Sequence, residues 1–183
     1  MAVQIIVDST ADFSAKEIEK RQITCIPMTV TFGNEQYIDG VDLTKEEFFV
    51  KLTNEKEFPK TSQPSPAKFA DCFEEAKENG DDVVAILVSG ALSGTVQSAT
   101  IAKDIAEHDG VYIVDSKSAT LGIRLLVDRA VRMRDQGKSA KEIAEALDEL
   151  KARVRLFAGL DTLEYLQKGG RISKTAASIG RLA

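Results

Sequence analysis

The sequence has no tryptophan, one histidine and two cysteines among its 183 residues. Cys25 and Cys72 lie far apart and belong to no CxxC pair, so the pattern indicates neither a zinc site nor a disulfide framework, and we expect two buried thiols. The histidine, His108, precedes Gly110 between acidic residues, where a solvated helix end is expected. The small number of cysteines and histidines argues against a metal site and against a catalytic histidine base.

Long apolar runs and a basic face are also missing. No run approaches the roughly 20 apolar residues that cross a bilayer, and the first residues do not have the pattern of a signal peptide. We therefore expect a cytoplasmic protein without stable membrane insertion. The net charge of −5 is made of interspersed signs, which argues against a nucleic-acid partner.

Three nucleotide and hydrolase motifs are absent as well. The sequence contains neither GxGxxG nor GxxxxGK[ST], so no dinucleotide or nucleoside triphosphate cradle is indicated. The serine at position 93 lacks the GxSxG pattern because Ala91 stands where a glycine belongs. We expect no cofactor and no metal.

What is present alternates between strand and helix patterns. Residues 83–88 are uniformly apolar, which is typical of a strand covered on both faces of a parallel sheet. Capping boxes predict helix starts after Ser14, Thr44 and Ser139. The prolines in residues 59–66 exclude helix and central strand there. The sequence predicts an α/β fold with a mostly parallel sheet flanked by helices, interrupted by an antiparallel excursion near residues 23–38.

The pattern changes near residue 155. We assign residues 1–155 to an N-terminal α/β domain and residues 156–183 to the beginning of a second, incomplete α/β domain.

Polar loops follow three predicted strands, at residues 8–10, 89–95 and 115–116. In open α/β sheets, ligands bind at such strand ends. The middle loop stands out because Gly90 and Gly94 permit close backbone approach, a helix starts near Gly94, and Ser93 adds a hydroxyl donor. The loop fits a phosphate, a sugar acid or a carboxylate, or it is simply a helix-capping turn.

Two further features leave alternatives open. Asp8 follows the first strand, where some phosphotransferases have a functional aspartate. The alternative is that its side chain only caps the next turn. An enzyme of the phosphotransferase or hydrolase type that uses these strand-end loops is therefore the alternative to a binding protein. The hydroxyls of residues 61–65 lie in a loop stiffened by prolines, which suits a ligand site or a rigid turn.

Five segments in the same order resemble the DegV family, and they are residues 7–12, 60–65, 89–95, 115–116 and 169–172. The resemblance implies a two-domain α/β protein that binds a long-chain fatty acid and is not itself an enzyme. It also implies similarity to the binding subunit of a bacterial fatty acid kinase, which presents the acid to a separate ATP-binding subunit. Family members continue beyond residue 183, so the resemblance implies a chain cut short within the second domain.

The resemblance assigns the fatty acid carboxylate to the hydroxyls of Thr61 and Ser93. It places the acyl chain in an apolar tunnel between the two domains. Six more residues are candidates for secondary contacts, and they are Asp8, Ser9, Ser62, Gly94, Thr95 and Arg171.

Overall fold

The computed structural model describes residues 2–55 and 57–173. Its strands are β1 (Val3–Asp8), β2 (Thr24–Ile26), β3 (Thr29–Phe32), β4 (Glu35–Ile38), β5 (Lys60–Ser62), β6 (Asp82–Leu87) and β7 (Val111–Asp115). Its α-helices are α1 (Ala15–Arg21), α2 (Lys45–Asn54), α3 (Pro66–Glu78), α4 (Thr95–Ala106), α5 (Leu121–Asp135), α6 (Ala140–Lys151) and α7 (Glu164–Lys168). A 3-10 helix, Ser9–Ala11, follows β1.

The main sheet is parallel, with the order β2-β1-β6-β7. Side chains alternate between its two faces: Ile5 and Val7 belong to one buried cluster, and Ile6 belongs to the other. Helices α5 and α6 pack in the first cluster, and α3 and α4 pack in the second. Because both faces of β6 are covered, its side chains are all apolar after Asp82, which confirms the predicted central strand.

The second sheet is small and antiparallel, with the order β4-β3-β5. Its buried cluster contains Val30, Phe32 and Leu43, with Tyr37 and Phe48 packed against it. Strand β5 was predicted as part of a loop. The prolines flank this strand at positions 59 and 64, so Lys60–Ser62 can pair along the sheet edge.

Local signals at the helix starts are confirmed. Ser14, Thr44 and Ser139 each accept a hydrogen bond from a backbone N–H three residues later, and each following glutamate bonds back. Ser65 caps α3 with Pro66 in the first helical position.

Two expectations about single side chains are wrong. Cys25 and Cys72 are free thiols, but both are only partly buried. His108 follows α4 yet is half-buried, with Nε2 2.8 Å from the Asp81 carbonyl oxygen, because the start of β6 lies beside it.

Residues 156–173 carry the short helix α7, and residues 174–183 of the predicted second domain lie outside the described residues. The division at residue 155 stays a prediction. No helix within the described ranges is long and apolar enough to cross a bilayer.

Candidate functional site

The site lies beside the point where the main sheet reverses its order. Strands β1 and β6 are neighbours, and the chain continues from β1 to β2 on one side and from β6 to β7 on the other. At such a switch point the loops leave the carboxyl ends of the strands in opposite directions and open a crevice between them. The residues that follow β1 and β6 therefore border a ready-made ligand site.

Asp8 joins the two strands at this point. Its carboxylate is buried and accepts hydrogen bonds from the Val88 N–H at 2.8 Å, the Thr10 N–H at 3.0 Å and the Thr10 hydroxyl. Burial raises the pKa of the Asp8 carboxyl, and these hydrogen bonds offset part of that rise. The contacts make Asp8 a structural tie and the cap of the 3-10 helix.

Acidic groups do not gather around Asp8 as a metal site requires. Among the described residues, no group of three or more His, Cys, Asp or Glu side chains is placed to hold a metal ion.

The loop after β6 is folded compactly. The Leu92 and Ser93 N–H groups donate to the Ser89 carbonyl at 2.9 and 3.1 Å, and the Gly90 N–H donates to Asp115 at 3.2 Å. These bonds fix the chain up to the first residue of α4. The half-buried Ser93 hydroxyl lies 2.8 Å from the hydroxyl of Thr95.

Gly94 lets a second segment approach this loop. A Cβ at position 94 would lie 2.5 Å from Nε2 of Gln63, so a larger residue there would force the end of this exposed side chain to shift. Gln63 follows β5, where Thr61 lies opposite Val30 of β3. The Gln63 side chain thus lies against the loop after β6 at Gly94.

Thr61 and Ser93 line the same cavity, which has a volume of about 520 Å³. Most of the lining side chains are apolar, and they are Met28, Val30, Phe48, Phe49, Val88, Leu92, Ala119 and Leu166. The other polar residues of the lining are Thr10, Asp12, Asp39, Lys45 and Arg171. The cavity therefore offers an apolar surface together with a few hydroxyls and charges.

The two cations of the lining are already engaged. Lys45 Nζ lies 2.8 Å from a carboxylate oxygen of Asp12. The exposed Arg171 donates through Nε to the Leu92 carbonyl at 3.2 Å and through Nη1 to the Gly169 carbonyl at 2.6 Å. Arg171 thus brings the segment after α7 against the loop that carries Ser93.

The other predicted contacts lie outside the lining. Asp8 and Thr95 are buried, and the Ser9 hydroxyl accepts a hydrogen bond from the Met28 N–H at 3.1 Å. Ser62 alternates with Thr61 along β5, and Gly94 lies against Gln63. As direct ligand contacts, these five residues stay predictions.

Sequence reasoning missed most of the apolar wall. The pair Phe48 and Phe49 on α2 carried a usable signal, because adjacent side chains on a helix point about 100° apart and can therefore contact two different surfaces. Phe48 packs on Phe32 with ring centroids 5.8 Å apart, and Phe49 is 61% exposed and lines the cavity.

A larger cavity, of about 750 Å³, lies at the amino ends of the strands. Most of its lining residues are polar, and its cations are paired: Arg134 contacts Asp135, and Lys138 contacts Glu142. This cavity is far from the switch point and has no comparable apolar wall.

Comparison with known proteins identifies the family of this chain. The family model described as "Uncharacterised protein, DegV family" matches residues 2–183. The chain belongs to the DegV family. A DegV domain-containing protein of Caldanaerobacter subterraneus is 39% identical over 97% of this chain and 63% of its own length.

Two solved structures that are similar to this chain are of proteins described with a fatty acid. A stearic acid-binding protein from Eubacterium ventriosum has a TM-score of 0.87 and 37% identity, covering 97% of this chain and 64% of that one. The fatty acid kinase B3 protein of Streptococcus pneumoniae, loaded with linoleic acid, has a TM-score of 0.80 and 26% identity. The match covers 98% of this chain and 64% of that one. The chain thus spans less than two thirds of the relatives it matches.

Proposed function

We propose that this chain binds a long-chain fatty acid, with the carboxylate at Thr61 and Ser93, and makes or breaks no bond itself. One observation carries the proposal: two hydroxyls from distant segments line one cavity whose remaining wall is mainly apolar. A fatty acid has the matching division into a small anionic head and a long apolar tail.

The size and chemistry of the cavity support this ligand. A volume of about 520 Å³ lies in the ordinary range for small-molecule sites. Burying an alkyl chain contributes about 0.8 kcal/mol per CH₂ group, so contacts with side chains such as Phe49 and Leu92 supply much of the affinity. The DegV relatives described with stearic or linoleic acid support the same ligand class.

The head-group site suits binding better than catalysis. Serine and threonine hydroxyls donate to a carboxylate, whereas a serine nucleophile needs a base within hydrogen-bond reach. The only histidine, His108, lies near the amino ends of β6 and β7, whereas Ser93 follows the carboxyl end of β6.

We propose a separate kinase subunit that uses ATP as the partner. Since this partner needs ATP, we propose a cytoplasmic location for the complex. The likeness to the pneumococcal fatty acid kinase B3 protein supports this partner. In this scheme the bound acid is presented to the other subunit, which carries out acyl-phosphate formation.

The first test is extraction of the purified chain with organic solvent, followed by mass spectrometry of the extract. We expect a long-chain fatty acid, and titration of delipidated protein with a fluorescent fatty acid then gives the affinity. Thr61→Ala and Ser93→Ala should each weaken binding by about 1–3 kcal/mol, the range for hydrogen bonds to charged groups.

Thr100→Ala is the matched control, because its exposed hydroxyl on α4 bonds only its own helix, at the Val96 carbonyl. It should leave the affinity unchanged. Full affinity in both Thr61→Ala and Ser93→Ala would show that the head group binds elsewhere, and failure of the wild-type chain to bind any fatty acid would refute the proposed function.

A further inference from the structure

Thr95 presents an unusual hydroxyl beside the proposed head-group site. The residue is 0% exposed and is not part of the cavity lining. Its Oγ1 lies 2.8 Å from Oγ of Ser93 and 3.9 Å from Sδ of Met28. Thr95 therefore acts on the cavity only through Ser93 and Met28, which both line it.

The Thr95 hydroxyl has a strong and a weak acceptor within reach, the Ser93 hydroxyl at 2.8 Å and the Met28 thioether at 3.9 Å. Without a ligand, Thr95 can donate to the thioether, although a thioether sulfur accepts hydrogen bonds poorly. A hydroxyl has only one proton, so the bond between the two hydroxyls is then donated by Ser93 to Thr95. In this arrangement the Ser93 proton points away from the ligand.

A bound carboxylate would reverse the direction in which the hydrogen bond between Ser93 and Thr95 is donated. A hydrogen bond from a hydroxyl to an ionised acceptor is roughly twice as strong as one between neutral groups, so the Ser93 proton turns to the ligand. Thr95 can then release the weak sulfur acceptor and donate to Ser93 Oγ across the same 2.8 Å. Successive hydrogen bonds polarise one another in a poorly solvated site, which strengthens the bond to the ligand.

We infer that Thr95 is a positioning residue that tunes the site for an ionised head group by backing the Ser93 hydroxyl. This inference rests on the proposed function and deepens it. It also gives Thr95 a role that differs from direct ligand contact. If Thr95 only packed against its neighbours, its hydroxyl would affect the binding of all acyl ligands equally, whatever their head group. A hydrogen bond from Thr95 to Ser93, and from Ser93 to the ligand, instead favours a carboxylate over a neutral alcohol.

The test compares Thr95→Val, which replaces the hydroxyl by a methyl group of similar shape, with Thr95→Ser, which keeps the hydroxyl. Thr100→Val is the control, because it makes the same change at an exposed position of α4. Affinities for oleic acid and for oleyl alcohol are measured by displacement of a fluorescent fatty acid, and circular dichroism checks that each variant is folded.

We expect Thr95→Val to weaken oleic acid binding by about three- to tenfold, the loss of one hydrogen bond. The loss for oleyl alcohol should be smaller, so the ratio of the two affinities falls. Thr95→Ser should restore the ratio to near the wild-type value, and Thr100→Val should not change it.

Equal losses for acid and alcohol in folded Thr95→Val would overturn the inference, since packing alone explains them. Thr95→Ser behaving like Thr95→Val would overturn it too. In both cases a wild-type chain that prefers oleic acid keeps the proposed function intact. A wild-type chain that binds no oleic acid removes the proposed function and this inference together.

Discussion

The two sheets of this chain differ in how firmly they are held. The parallel sheet is covered on both faces by large buried clusters, which include Phe69, Phe73 and Leu126 at 0% exposure. The antiparallel sheet has a cluster of three buried residues and is covered by α2, a helix without a buried residue. The cavity lies between them, with Ser93 on the firm side and Thr61 on the weaker side. A site built this way has one fixed wall and one wall that can yield when a ligand enters.

The largest effect should come from the core of the parallel sheet. Phe73→Ala should lower the free energy of unfolding by about 3–5 kcal/mol, because it leaves a cavity in a fully buried cluster. Denaturant unfolding measures this loss. A change below 1 kcal/mol, which is what exposed positions show, would mean that the two sheets do not differ in the way described.

An intermediate effect is expected at the junction of β1 and β6. Asp8→Ala removes the acceptor of the buried Val88 N–H and should cost about 1–3 kcal/mol near pH 4. Because burial raises the pKa of Asp8 in the folded state, the Asp8 carboxyl of the unfolded chain loses its proton at a lower pH, near 3.8, than the same carboxyl in the folded protein. The stability that Asp8 contributes is therefore largest below pH 3.8, and it falls as the pH rises from 3.8 to the folded-state pKa.

Unfolding curves of wild type and Asp8→Ala over this pH range measure the difference between them. That difference should shrink as the pH increases up to the folded-state pKa. A difference that grows with pH would contradict the buried environment of Asp8.

The smallest effect on stability should come from α2, the helix that covers the antiparallel sheet. Phe49→Ala should change the free energy of unfolding by no more than about 0.5 kcal/mol, because the side chain is 61% exposed. It should nevertheless weaken fatty acid binding, since Phe49 lines the cavity. Val50→Ala is the control, as Val50 is 60% exposed and outside the lining. Equal affinity in the two variants would remove Phe49 from the binding wall.

The firm sheet was also the easier one to predict. Strand β6 has a run of apolar residues long enough to identify a central parallel strand. Strand β5 has three exposed residues and no alternation, so its pairing with β3 has no local signal.

The site depends on contacts between distant segments. The order of the strand ends predicted the loop around Ser93, and the DegV resemblance supplied Thr61. Neither indicated that Gln63 lies against Gly94 or that Thr95 is buried behind Ser93. Such contacts follow from the packing of the two sheets and cannot be inferred from spacing along the chain.

Hydrogen exchange of the delipidated chain with and without oleic acid tests the central claim most directly. Binding between the two sheets should slow exchange in two separate segments, residues 60–62 of β5 and residues 89–95, while amides in the core of β6 change little. Protection at the opposite cavity, around Gln22 and Ser139, without protection of β5 and the Ser93 loop, would contradict the account.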